Sequence, residues 1–191
     1  MRPLCWKESI AGAVLIVTTV SIVLAMAPGI SLAQSQQPYA GLDARSIKAL
    51  SEQQISDLRA GRGMGLALAA ELNGYPGPVH VLELADSLAL SDQQRARIQD
   101  LFTAMRAEAI ALGDKLIAQE TDLDRQFANK AIAPASLVAL VGAIGATQAE
   151  LRQTHLKYHL STAEVLTPAQ VQRYGELRGY TGGMQHPPGR H

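Results

Sequence analysis

One short pattern occurs three times in this chain, and it constrains the fold more than any other feature of the sequence. Each copy has a leucine, then a serine or threonine, and then a glutamine three residues further on. In such a capping box the hydroxyl oxygen accepts a hydrogen bond from the backbone N–H of the third helical residue, and the glutamine accepts one from the backbone N–H of the capping residue. The copies therefore predict three helix starts, at the pairs Ser51 and Gln54, Ser91 and Gln94, and Thr167 and Gln170.

The composition after Ser51 predicts that the rest of this region is helical as well. Ala, Leu, Gln, Glu and Arg are frequent and favour helices, whereas no alternating run indicates a strand. A short turn separates the two longest helices, so we predict an all-α fold built on a long antiparallel helical hairpin with shorter helices. The predicted helices lie at about residues 52–72 (with an interruption at Gly61, Gly63 and Gly65), 79–88, 92–128, 134–164 and 168–178.

The fourth predicted helix carries one seam of residues that step alternately by four and three. This spacing places the seam on a single face, turned towards a partner helix. A hairpin of this length in a small chain cannot bury all of its apolar surface within one copy. We therefore expect a second copy of the chain or a client protein to bind the remaining apolar surface. The seam consists of Leu137, Val141, Ile144, Gln148, Leu151, His155, Tyr158, Thr162 and Val165.

The N-terminal residues have the order of an export signal. Arg2 and Lys7 precede an apolar run at about residues 10–27, and a Pro-Gly pair and the small residues Ser31 and Ala33 follow it. We predict a signal peptide at residues 1–33 and a periplasmic protein; the alternative is an uncleaved helix anchored in the inner membrane. The predicted organisation continues with a flexible leader at 34–50, a helical domain at 51–180 and a disordered tail at 181–191.

Composition and motifs exclude several classes of function. The 17 basic residues balance the 17 acidic ones, so the composition gives no indication of the basic surface that nucleic-acid binding requires. Cleavage would remove the one cysteine, and a chain without cysteine has no disulfides or thiolate metal sites. No metalloprotease, serine-hydrolase or phosphate-binding motif is present, so we predict that the protein is not an enzyme.

The boxes at Leu90–Gln94 and Leu166–Gln170, which flank the predicted hairpin, are where the sequence resembles a known family. It is similar to the LTxxQ family of periplasmic proteins, which holds the Spy and CpxP chaperones and is related to the ZraP and CnrX heavy-metal resistance and sensor proteins. The resemblance covers roughly residues 88–180. It implies a cradle-shaped homodimer that binds unfolded or misfolded envelope proteins under stress without ATP. A membrane-bound sensor protein is a further partner that it suggests.

Under the chaperone hypothesis the client would bind the apolar and amphiphilic face of the hairpin. Leucine, methionine and aromatic side chains among polar neighbours suit weak contact with many different chains. The candidates are Phe102, Met105, Leu112 and Leu116 on one helix and Leu151 and Tyr158 on the other.

The alternative hypothesis is a heavy-metal sensor or resistance protein that binds Zn, Cu, Ni or Co. His155 and His159 are four residues apart on one helical face, a spacing that lets two imidazoles bind one metal ion. His80, with Glu83 close by in sequence, is a third candidate ligand, and Met105 is predicted to lie level with the pair across the hairpin. A hydrogen-bonded core histidine is the competing interpretation of His155. No cofactor is required, although Zn or Cu is possible.

Overall fold

The computed structural model describes residues 38–180, and this part of the chain consists of helices and connecting loops without a β-strand. A short 3-10 helix at Leu42–Ala44 precedes six α-helices. They are α1 (Glu52–Ala60), α2 (Leu68–Glu71), α3 (Pro78–Glu83), α4 (Asp92–Ala128), α5 (Pro134–Val165) and α6 (Pro168–Leu177). The predicted all-α class with a long helical pair is confirmed. The predicted signal peptide and the tail at 181–191 lie outside the described residues.

All three capping boxes are present, with both hydrogen bonds in each. At α4, for example, the Gln94 backbone N–H donates to Ser91 Oγ over 3.2 Å, and the Ser91 backbone N–H donates to Gln94 Oε1 over 3.1 Å. The same arrangement begins α1 at Ser51 and α6 at Thr167. A local sequence signal therefore sets the start of each of these helices.

The glutamines of the second and third boxes also bind each other. Gln94 Nε2 donates to Gln170 Oε1 over 2.9 Å, and Gln170 Nε2 donates to Gln94 Oε1 over 3.1 Å. Their remaining amide hydrogens reach the backbone carbonyls of Val165 and Leu88. One pair of side chains thus caps two helices and joins the start of α4 to the junction of α5 and α6.

The region predicted as one interrupted helix at residues 52–72 forms two helices separated by a loop. Gly61 ends α1 with a left-handed backbone (φ 67°), and a Cβ at this position would lie 2.9 Å from the backbone oxygen of Arg106. Met64 and Gly65 also have positive φ angles, of 44° and 80°. We call residues 61–65 the glycine loop; it turns the chain so that α2 contacts α5. The next helix, α3, ends at Glu83, earlier than the predicted residue 88.

Two apolar clusters hold the hairpin together. The base cluster lies where α3, α4, α5 and α6 meet and includes Val81, Ile98, Leu101, Met105, Tyr158, Leu166 and Tyr174. The middle cluster lies where α1 and the preceding turn pack on the hairpin, and includes Ile47, Leu50, Ile55, Leu58, Ala109, Leu116, Ile117, Ile144 and Leu151. A cavity lies beside the hairpin, between the two clusters.

The far end of the hairpin is weakly covered. We call the region formed by the end of α4 and the first half of α5 the tip; it exposes Phe127, Leu137, Val138 and Val141. Within the described residues, α5 is the one helix long and apolar enough to cross a membrane, and only 17% of the stretch that qualifies is buried. Length and composition alone are weak evidence for a membrane span.

Candidate functional site

A cavity of about 660 Å³ lies beside the hairpin, between the two apolar clusters. Its walls come from the glycine loop, α2, α3, the first half of α4, the second half of α5, and the segment after α6. The size is in the range of small-molecule sites. The cavity brings together side chains that are far apart in sequence, among them both candidate histidines of α5.

His155 is almost fully buried, with 2% of its surface exposed, and its Nε2 has no hydrogen-bond partner in the described part of the chain. A Cβ on Gly63 would lie 3.6 Å from its Nδ1, so the glycine loop passes close to the ring. Burial, and secondly the charge of His159, lowers the pKa of His155 below its ordinary value. The ring is therefore neutral at pH 7, the form that donates a lone pair to a metal.

His159 lies one helical turn further along α5 and is held by a backbone contact. Its Nδ1 lies 2.7 Å from the carbonyl oxygen of Tyr75, which can only accept a hydrogen bond, so Nδ1 carries the hydrogen. In the neutral ring Nε2 then holds the lone pair. This nitrogen faces Gly77, where a Cβ would lie only 2.9 Å away. A backbone partner that orients a histidine in this way is common behind metal-binding imidazoles.

A buried carboxylate, Glu71, lies behind His159. Its Oε2 accepts a hydrogen bond from the Gly77 backbone N–H at 3.1 Å and lies 3.7 Å from His159 Nδ1. Its Oε1 accepts hydrogen bonds from the hydroxyls of Tyr174 and Tyr180 and lies 3.7 Å from Arg178 Nε. Glu71 thereby ties the segment around α6 to the turn that orients His159.

Sequence reasoning missed Glu71. It ends a four-residue helix after the glycine loop, and no periodic pattern there indicates a buried position. Its two tyrosine partners follow 103 and 109 residues later in the chain. A carboxylate just before the break at residues 73–78 was the only local feature that could have drawn attention to it.

His80, the third predicted ligand, lines the same cavity but does not converge on the pair. Its Nδ1 lies 3.1 Å from Glu83 Oε2, and both side chains are partly exposed at the mouth. Within residues 38–180 no group of three His, Cys, Asp or Glu side chains is close enough to hold one metal ion. Met105 does share the cavity with His155 and His159, as does Met64 of the glycine loop.

The six predicted client-binding residues lie mainly inside the molecule. Met105, Leu116, Leu151 and Tyr158 are buried, and Phe102 and Leu112 pack partly buried against the two clusters. The reason is that α1 and α3 cover the hairpin face on which these residues lie. Most of the exposed large apolar side chains of the hairpin are at the tip instead, and Leu160, near the end of α5, is the exception.

Tyr158 has a further role in joining the two long helices. Its hydroxyl donates to Glu108 Oε1 over 2.7 Å, and Lys157 Nζ donates to the other oxygen over 2.5 Å. Burial, together with this carboxylate, raises the pKa of Tyr158 to about 12. The hydrogen bond from Lys157, followed by that from Tyr158, lowers the pKa of Glu108.

A comparison with known proteins assigns the region around the cavity to a family. The model of the heavy-metal resistance family matches residues 63–173, which run from the glycine loop through the hairpin into α6. The chain has no significant match among curated proteins or among solved structures. The matched region exceeds half of the chain and contains Glu71 and the three histidines that line the cavity, and the chain belongs to the heavy-metal resistance family.

Proposed function

We propose that this protein binds a transition-metal ion at His155 and His159 and acts as a heavy-metal sensor or resistance protein. The observation that carries the proposal is the buried ring of His155, whose Nε2 has no partner within the described residues. Buried polar nitrogens are nearly always satisfied, so one without a partner calls for an explanation. A metal ion bound by this ring would supply the partner that the protein does not.

The donor set suits borderline transition metals. Two imidazoles one helical turn apart favour Zn, Cu, Ni or Co, and the thioethers of Met64 and Met105 in the same cavity are ligands that softer ions accept. These residues would hold the ion, while the contact of His159 with Tyr75 keeps its ring oriented. The proposal involves no catalytic step.

The proposal also includes a location and a partner. Residues 1–33 have the order of a cleaved signal, so we propose a periplasmic protein, with the uncleaved inner-membrane form as the alternative. Metal binding beside the Glu71 contacts would change how α6 is held. That change offers a signal to a membrane-bound partner.

The test is calorimetric titration of the purified protein with Zn, Cu, Ni and Co. We expect one strong site, with affinity reduced about tenfold or more in His155→Ala and in His159→Ala. His80→Ala is the matched control, since that ring pairs with Glu83 at the mouth and should change the affinity little. Equal affinity in the parent protein and in the His155→Ala, His159→Ala double variant would contradict the proposal.

The exposed tip favours a second candidate function, a Spy-like or CpxP-like holdase. Phe127, Val138 and Val141 form part of an apolar surface at the end of the hairpin, as a client-binding surface requires. The measurement is aggregation of a denatured client, without ATP, in chelator and with added Zn. Suppression in chelator would support a metal-independent holdase, and suppression only with Zn would join the two functions. No suppression in either condition would contradict the holdase.

A further inference from the structure

We infer that the metal site is completed by a small organic anion with two carboxylates, which occupies the cavity beside the ion. The inference rests on the proposed metal function and names what the protein binds together with the metal. It starts from a shortage of protein ligands. Two imidazoles fill two of the four positions of a tetrahedral ion, and no third His, Cys, Asp or Glu of the described chain converges on them.

The cavity is much larger than a metal ion needs. Its volume of about 660 Å³ compares with roughly 30 Å³ for one water molecule in the liquid. Part of the wall is apolar, formed by Leu68, Val79 and Phe102, which suits the carbon body of an organic molecule. The space beside His155 and His159 is therefore sufficient for an ion together with a small chelating molecule.

The two carboxylates of the cavity wall already have partners. Glu71 receives hydrogen bonds from Gly77, Tyr174 and Tyr180, and Glu83 pairs with His80. Neither is free to move to the ion without breaking contacts of the folded chain. Exogenous carboxylates would supply the missing oxygen ligands without that loss.

One cavity arginine has no carboxylate partner within residues 38–180. Arg62 pairs with Asp57 at 2.6 Å and Arg178 lies 3.7 Å from Glu71, but Arg106 makes no ion pair there. Arg106 donates from Nε to the carbonyl oxygen of Ala60 over 3.3 Å, which leaves its terminal nitrogens for another acceptor. A guanidinium can bind a carboxylate with two parallel hydrogen bonds.

The glycine loop passes close to both this arginine and His155. A Cβ on Gly61 would lie 3.2 Å from Arg106 Cγ, and one on Gly63 would lie 3.6 Å from His155 Nδ1. Arg106, His155 and His159 thus line one cavity beside this loop, so a molecule bound there has both the imidazoles and the guanidinium in its wall.

The experiment measures Ni²⁺ binding to the full chain by equilibrium dialysis at a buffered free Ni²⁺ concentration, with and without malonate. Malonate is the probe because its two carboxylates chelate one ion and leave oxygens free for a guanidinium. We expect malonate to raise the affinity for Ni²⁺ about tenfold at the same free metal concentration. Retention of labelled malonate only when Ni²⁺ is present would give a second, independent readout.

The variants separate this inference from the metal function itself. Arg106→Gln should bind Ni²⁺ alone as the parent does but lose the malonate effect, whereas the control Arg62→Gln, altered at the arginine paired with Asp57, should keep it. A malonate effect that is absent in the parent or unchanged in Arg106→Gln would overturn the inference and leave the metal site standing. Loss of Ni²⁺ binding in every condition would overturn the proposed function instead.

Discussion

At the scale of single residues, one buried carboxylate organises the surroundings of the cavity. Glu71 binds two tyrosine hydroxyls and a backbone N–H, and it lies within 3.7 Å of both His159 and Arg178. Hydrogen bonds to a charged acceptor are stronger than those between neutral groups. The carboxylate therefore links the ring that would bind metal to the C-terminal part of the described fold.

The Glu71 contact with Tyr174 predicts a specific loss of stability at alkaline pH. Burial, with a smaller contribution from Glu71, raises the pKa of Tyr174 above its ordinary value of 10.0. The folded protein holds this proton more tightly than the unfolded chain does, so the stabilisation is complete below about pH 10 and is lost as the pH rises above it.

Urea unfolding between pH 8.5 and 11 tests this dependence. Tyr174→Phe should lower the free energy of unfolding at pH 8.5. Between pH 8.5 and pH 11 the free energy of unfolding of this variant should then fall by about 1 kcal/mol less than that of the parent. Tyr39→Phe, at a site that is 79% exposed, should follow the parent curve. A parallel decline in Tyr174→Phe would show that the tyrosine does not carry the effect.

At the scale of helices, two glycines in the long hairpin have opposite roles. A Cβ on Gly113 of α4 would lie 2.5 Å from the backbone oxygen of Leu58, so α1 packs here directly against the α4 backbone. A Cβ on Gly142 of α5 would meet no atom within 4 Å. The first glycine is required by packing, and the second only weakens its helix.

Alanine substitutions at these glycines should therefore change stability in opposite directions. Gly113→Ala should destabilise the protein by about 1–3 kcal/mol because α1 must move away from α4. Gly142→Ala should stabilise it by about 0.5–1 kcal/mol because alanine loses less backbone freedom in a helix. Urea midpoints measured under one condition compare the two, and a tolerated Gly113→Ala would contradict the close packing of α1.

At the scale of the whole molecule, the hairpin has a covered base and an exposed tip. The helices α1, α3 and α6 pack near the base and middle clusters, whereas the first half of α5 buries only Ile144 and Thr147. The predicted homodimer and the predicted client both need apolar surface, and the tip supplies it. Which of them covers the tip stays a prediction that substitutions can test.

Charged residues at the tip should abolish such contacts without unfolding the chain. Val138 is 75% exposed and Val141 is 52% exposed, so the Val138→Glu, Val141→Glu variant should keep the parent's melting curve. It should lose self-association in sedimentation, suppression of client aggregation, or both. Gln153→Glu, an exposed change elsewhere on α5, is the control. Unchanged association and protection in the valine variant would rule out the tip as the binding surface.

Much of the architecture follows from the sequence because its causes are local. A hydroxyl and a glutamine three residues apart set the starts of α1, α4 and α6. The repeat along α5 predicted the buried side of its second half, whereas Leu137, Val141 and Gln148 of the predicted seam are exposed. These signals act within one or two helical turns. They predicted the bounds of α4 and the start of α5 at Pro134, and they placed His155 and His159 on one face.

The cavity could not be predicted from the sequence, because the residues that line it come from segments far apart in the chain. Glu71 is buried where Tyr174 and Tyr180 fold back onto it, and His159 is oriented by a carbonyl 84 residues earlier in the chain. Packing also decided that most of the predicted client-binding residues are interior, since α1 and α3 cover them. The sequence by itself determined where most of the helices begin and end along the chain. Contacts between distant segments decided which side chains line the cavity.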